Sequence, residues 1–169
     1  MRRSLPFFLF ALGAAMLAFS LLYTIYHVAI SDPSPTPLPQ HLAGLPLTQQ
    51  LTGRRASTNI TNLHSKAFPI TSAAVGQYGH NQQVTLWVTG TPLKPITTLL
   101  TKAMRTKIAE GNSPFTNLGE KYVEEFIIYQ LKGAGQLHFY YQAGVYLIWL
   151  AADAEFAEQA LAETIAFYR

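Results

Sequence analysis

The chain has 169 residues, 49% of them apolar and only 12% charged, about half the charge of an average soluble domain. A net charge of +3 is too small to argue for nucleic-acid binding. The lack of cysteine excludes disulfides, thiolate metal sites and thioether-linked haem, so any folded domain is held by its core alone.

Residues 7–30 carry no charge and follow Arg2 and Arg3. As a helix they would run about 36 Å, enough to span a hydrocarbon core with some tilt. Tyr23, Tyr26 and His27 lie near the outer end, where amphipathic rings suit the headgroup zone. A cleaved signal peptide is the rival reading. Its best small-x-small site, Ala18-Phe19-Ser20, would leave Leu21-Leu22-Tyr23 to open the mature chain, a poor exit. Arg2 and Arg3 favour a cytoplasmic N-terminus, which places the remainder outside the cytoplasm. The expected division is a cytoplasmic stub (1–6), a single-pass anchor (7–30), a Pro-rich linker (31–46) and an extracytoplasmic domain (47–169). The linker holds Pro33, Pro35, Pro37 and Pro39, so it is expected to act as an extended spacer lifting the domain off the bilayer.

Within the domain, residues 52–63 read as a short helix with Ala56, Ile60 and Leu63 on one stripe. Residues 73–78 and 84–89 read as a hairpin, with Gly79-His80-Asn81 as turn chemistry. Residues 95–109 give the clearest helical period: Ile96, Leu99, Leu100, Ala103, Met104 and Ile108 share a face, and Gly111 ends it. Strands follow at 125–131, 137–141 and 145–151, joined by short Gly-bearing turns. A last helix is expected from Asp153 as N-cap, with Phe156, Ala160, Leu161 and Ile165 as its apolar stripe. The order α-β-β-α-β-β-β-α implies an α+β fold: an antiparallel sheet of about five strands with helices packed on one face.

Two features stand out. Charge is segregated: no acidic residue lies between Asp32 and Glu110, a stretch that carries Arg54, Arg55, Lys66, Lys94, Lys102, Arg105 and Lys107, whereas acids dominate beyond it. This suits either a basic face that docks on anionic lipid or an acidic subunit, or two oppositely charged helices side by side. The strands are also rich in rings, and because side chains alternate across a strand, Trp87, His138, Phe139, Tyr140, Tyr141, Tyr146 and Trp149 cannot all point at one layer of helices. Trp87, His138 and Tyr140, with Lys102 and Arg105, form the expected interaction surface, unless a misplaced helix or loop covers the rings.

No catalytic, cofactor or metal residue emerges. The histidines His27, His41, His64, His80 and His138 include no pair at i, i+4. Gly133-Ala134-Gly135 lacks the third glycine, the Lys-Ser and the helix of a phosphate loop. No serine sits in a Gly-x-Ser-x-Gly elbow.

The runs Leu63-His64-Ser65-Lys66-Ala67-Phe68, Val75-Gly76-Gln77-Tyr78-Gly79 and Thr85-Leu86-Trp87-Val88, then Gly135-Gln136-Leu137-His138-Phe139-Tyr140-Tyr141 and Ile148-Trp149-Leu150-Ala151, resemble an uncharacterised group of bacterial single-pass membrane proteins. Those proteins, known best from filamentous phototrophic bacteria, carry a small extracytoplasmic α+β domain. The resemblance implies that location and architecture, and no activity, cofactor or site residue. The expected role is a non-enzymatic accessory subunit of a larger membrane complex, photosynthetic or respiratory, whose partners are the bilayer and a membrane protein. The alternative is a standalone sensor or ligand-binding module using an open sheet face as its pocket.

Overall fold

A computed structural model of the protein describes residues 5–64, 68–111 and 113–169. Arg2, Arg3, Ser65, Lys66, Ala67 and the side chain of His64 lie outside the described set, so expectations placed on them have no structural counterpart.

Helix α1 (Leu5–Ser31) contains a stretch, Pro6–Ser31, of 26 residues with a mean hydropathy of 2.1. It is long and apolar enough to cross a membrane, and none of its apolar window is buried against the rest of the chain.

The proline-rich segment is not a free spacer. The Asp32 amide donates to Val28 O at 3.0 Å, closing the helix. Two residues on, β1 (Ser34–Pro35) pairs in parallel with the start of β4 (Ser72–Tyr78). Pro33, Thr36 and Leu38 are buried. The Tyr168 and Tyr78 hydroxyls donate to the carbonyls of Pro37 and Pro39 at 2.7 and 3.0 Å. Proline holds the segment extended, and extended backbone is what a sheet edge accepts. Gly53 permits the approach: its φ is +57°, and a Cβ there would stand 2.9 Å from the Pro33 carbonyl oxygen.

Among the described residues the domain has an α+β architecture with nine strands rather than five. The remaining elements are β2 (His41–Leu42), β3 (Leu45–Thr52), α2 (Gly53–His64), β5 (Val84–Gly90), α3 (Lys94–Ala109), β6 (Thr116–Val123), β7 (Phe126–Gly133), β8 (Gln136–Ala143), β9 (Tyr146–Ala152) and α4 (Ala157–Tyr168). Their order in the sheet is β2-β3-β4-β5-β9-β8-β7-β6, with β1 beside β4. The chain thus forms two antiparallel meanders that meet where β5 pairs β9, and α3 carries it from β5 to the far edge at β6. The strands left out of the sequence reading are short or lie at edges. Pro46 and a run of glutamines disguise β3. Polar residues and a bulge between Asn117 and Gly119 disguise β6.

Helices pack on both faces of the sheet, not on one. On the first face, Val84, Leu86, Val88, Phe139, Tyr141, Ile148 and Leu150 meet Ala157, Ala160, Leu161 and Ile165 of α4, with Leu38 and Leu42 from the N-terminal segment. The second face is covered by α2 over β3 and β4, and by α3 over β8 and β9. Strands buried on both sides need a layer on each, and β5 and β9 are such strands. The basic α3 and the acidic start of α4 therefore lie on opposite faces and not side by side.

Two local expectations change as well. Helix α4 starts at Ala157, because the Asp153 carboxylate accepts from Gln136 Nε2 at 2.9 Å instead of capping a helix. In α3, Thr97 and Thr101 face the sheet while Leu99 is 66% exposed. The Thr97 hydroxyl donates to Val145 O at 3.1 Å and lies 2.7 Å from the Thr91 hydroxyl, which turns the threonine rail inward.

Candidate functional site

The second face carries a row of rings set by strand register. Glu120 opposes Tyr129, Tyr129 opposes Tyr140, Tyr140 opposes Trp149, and Trp149 opposes Trp87. Direct cross-strand neighbours stand close enough for ring contact. Tyr129 and Tyr140 stack at 4.7 Å with planes 16° apart, and Tyr140 and Trp149 at 5.4 Å and 10°. The Arg105 guanidinium lies 5.6 Å above the Tyr129 ring, and its Nη2 is 3.5 Å from the Glu120 carboxylate.

His138 adjoins this row. Trp149 Nε1–H donates to His138 Nδ1 at 3.1 Å, which fixes the tautomer, so His138 Nε2–H donates to Gly133 O at 3.0 Å. Burial lowers the pKa of the imidazole and so favours its neutral form, with the Gly133 carbonyl acting in the opposite sense. Phe115 seals it, at 4.7 Å from His138 and 5.2 Å from Trp149. That lid needs Gly133: a Cβ there would meet the Phe115 ring at 2.4 Å. Both imidazole nitrogens are occupied by protein groups, which makes His138 a structural link rather than an acid–base group. Burial also raises the pKa of the Tyr140 phenol.

The expected interaction surface is thereby divided. Tyr140 is 1% exposed and His138 6%, so both lie inside the domain and offer no contact to a partner. Trp87 is half-buried and packs against Ala56, Ile60, Ile70 and Val75 under α2. Lys102 and Arg105 remain exposed on α3.

Those two residues line a cleft that the sequence did not disclose. Pairing of β7 with β8 runs from Gly133↔Gln136 to Tyr129↔Tyr140 and stops. Beyond it, residues 126–128 pair only with β6, and residues 141–143 only with β9. A cleft of about 680 Å³ runs along the flank of α3, against the ends of β7 and β8 beyond that pairing. Its lining holds four cations, Lys94, Lys102, Arg105 and Arg169, against one carboxylate, Glu125, with apolar surface from Phe126 and Ile127. Arg105 and Arg169 each have a carboxylate at 3.5 Å, from Glu120 and Glu124. Lys94 and Lys102 form no ion pair among the described residues.

Gln142 fastens α3 to the cleft margin. Its side-chain oxygen accepts from the Thr98 hydroxyl at 3.0 Å, and its Nε2 donates to Lys94 O and Gly144 O at 3.2 and 2.9 Å. A second hollow of about 200 Å³ lies beyond Arg105 and Tyr129, against Asn117 and Glu120. Nothing in the composition or period of residues 126–143 signals the cleft, because it depends on where one strand pair ends. Among the described residues, no group of three or more His, Asp or Glu side chains is placed to hold a metal ion. Comparisons with protein-family models, with curated proteins and with solved structures give no match to this chain.

Proposed function

We propose that the protein is a non-enzymatic accessory subunit of a membrane assembly. Helix α1 spans the bilayer with its N-terminus in the cytoplasm, and the domain stands outside, presenting the basic flank of α3 to a neighbouring membrane protein. The observation that carries this reading is the absence of slack between helix and domain. The helix closes at Asp32, and Ser34 already belongs to the sheet. A domain held this way is presented in one place and orientation, as docking beside the bilayer requires. The cleft beside Lys102 and Arg105 is the surface best suited to that contact, since it combines cations, of which Lys94 and Lys102 form no ion pair among the described residues, with apolar lining.

The ligand-binding alternative now rests on the same cleft. It no longer rests on an open sheet face, because His138 and Tyr140 are buried. Extraction in mild detergent followed by native electrophoresis tests the reading. The expected result is migration well above the 18.7 kDa chain, reduced by charge reversal at Lys102. A free, monodisperse 18.7 kDa species would defeat it.

A further inference from the structure

We infer that one end of the domain rests on the phospholipid headgroup layer of the bilayer, with Leu93 and Val145 set among the headgroups and Arg55 and Lys94 on lipid phosphates. This rests on the reading of α1 as a bilayer span. It goes beyond the docking of a neighbour, which uses Lys102 and Arg105 further along α3.

The first observation is where the helix meets the sheet. Ser34 opposes Ser72, Ser72 opposes Gly90, Gly90 opposes Tyr146, and Tyr146 opposes Ala143 across the β8–β9 turn. The end of α1 and that turn therefore lie at the same end of the sheet, four strand spacings or about 19 Å apart. Two loops are fastened to this base. The Thr91 amide donates to Val145 O at 3.0 Å and the Thr91 hydroxyl to Leu93 O at 3.1 Å, which holds the start of α3 beside the turn. Gly53 packs on the Pro33 carbonyl, and Arg54 pairs with Asp32 at 3.3 Å, which holds the start of α2 beside the helix end.

The second observation is depth. A hydrocarbon core of about 30 Å takes about 20 helical residues, which carries α1 from Pro6 to Tyr26. Residues 27–31 then rise about 7.5 Å, close to the thickness of one headgroup layer. Asp32 stands at the outer boundary of that layer, and the base of the domain follows at once. None of the apolar window of α1 is buried in the chain, so lipid reaches the helix end on which the base sits.

The third observation is what the base exposes. Leu93 is 61% exposed and Val145 37%, whereas the β4–β5 and β7–β8 turns at the opposite end of the sheet expose no large apolar side chain. Arg55 and Lys94, in the first turns of α2 and α3, are exposed and form no ion pair among the described residues. Helical side chains lean toward the N-terminus of their helix, and for both helices that is toward the bilayer. The carboxylates at this end are Asp32, held by Arg54, and Glu124 and Glu125 on the β6–β7 turn at the lateral margin, where Glu124 pairs with Arg169 at 3.5 Å. Apolar tips between unpaired cations suit a surface with phosphate above and hydrocarbon beneath.

The test uses the full chain in nanodiscs of equal parts phosphatidylcholine and phosphatidylglycerol. The chain has no cysteine, so Leu93→Cys, Val145→Cys, His80→Cys and Met16→Cys each accept one bimane fluorophore. Quenching is read against lipids that carry a nitroxide on the headgroup or on the acyl chain. The headgroup nitroxide is expected to quench the labels at 93 and 145 at least about threefold more than the label at 80, in the β4–β5 turn. Arg55→Glu with Lys94→Glu is expected to lower quenching at 145 at least about twofold. Lys107→Glu with Lys132→Glu makes the same change in net charge at the opposite end of the sheet, and is expected to change it by less than about a fifth.

Quenching at 93 and 145 no stronger than at 80 overturns the inference, as does an equal effect of the two double variants. The label at 16 separates this failure from that of the anchor. Acyl-chain quenching at 16 without headgroup quenching at 93 and 145 removes the resting base and leaves α1 as a span. No acyl-chain quenching at 16 removes both.

Discussion

The two faces of the sheet are built from the same strands but held by different forces. Under α4 the contact is almost wholly apolar, with Leu161 and Ile165 set against Leu86, Ile148 and Leu150. On the second face, beside the small apolar cluster under α2, the buried side chains include Thr85, Thr89, Thr91, Thr97, Thr101 and His138, most of them joined by directed hydrogen bonds. Apolar burial is non-directional and scales with area, whereas each hydrogen bond depends on its partner. The first face therefore supplies most of the stability. The second sets where α3 lies, and with it where the cations of the cleft point.

Substitutions of graded severity separate these roles. On the α4 face, Leu161→Ala is expected to cost about 3 kcal/mol in chemical denaturation, because Leu161 is buried in a closed apolar layer. A loss below about 1 kcal/mol would show that α4 is not the principal seal. On the α3 face, Trp149→Phe keeps a ring but removes the donor to His138 Nδ1, and is expected to cost about 1–2 kcal/mol.

The same histidine gives that face a pH signature. Its folded pKa lies below the ordinary value of 6.5, so the unfolded chain takes up the proton first as pH falls. His138 thus favours the folded state fully above pH 6.5, and that contribution is lost as pH falls below 6.5 and through the depressed folded value. Urea midpoints across this range are expected to fall for the parent and to flatten in His138→Gln. Parallel curves would remove His138 as the cause.

The smallest effect belongs to the apolar face. Tyr141 is fully buried, and its hydroxyl has no hydrogen-bond partner among the described residues. Tyr141→Phe is expected to leave stability unchanged or raise it by up to about 1 kcal/mol. A loss of that size would reveal a bond to water inside the apolar layer.

Legibility in the sequence follows the same division. Helix α3 and the strands from β4 to β9, apart from β6, are readable because their periods and turn residues are local properties. The alternation of rings was also readable, and it sends Phe139 and Tyr141 to one face and His138 and Tyr140 to the other. What covers each face was not readable, because helix placement depends on contacts distant in sequence. Leu99 shows the difficulty: the helical period groups it with Ile96, Leu100 and Met104, which are half-buried, yet a threonine rail anchored at Val145 rotates it outward. The cleft was less legible still. Gln142 and Ile127 look like ordinary strand residues until the register shows that β7–β8 pairing stops at Tyr129↔Tyr140.

The proline segment bears on how durable the attachment is. Proteases need several consecutive residues in exposed, unpaired backbone, and a stem beside a membrane helix is a common place to find them. Here that stem is tied into the fold by Ser34 and Thr36 amides and by two tyrosine hydroxyls on proline carbonyls. Cutting the domain from α1 would require local unfolding first, so the durability of that link is set by the stability of the sheet rather than by access to the segment.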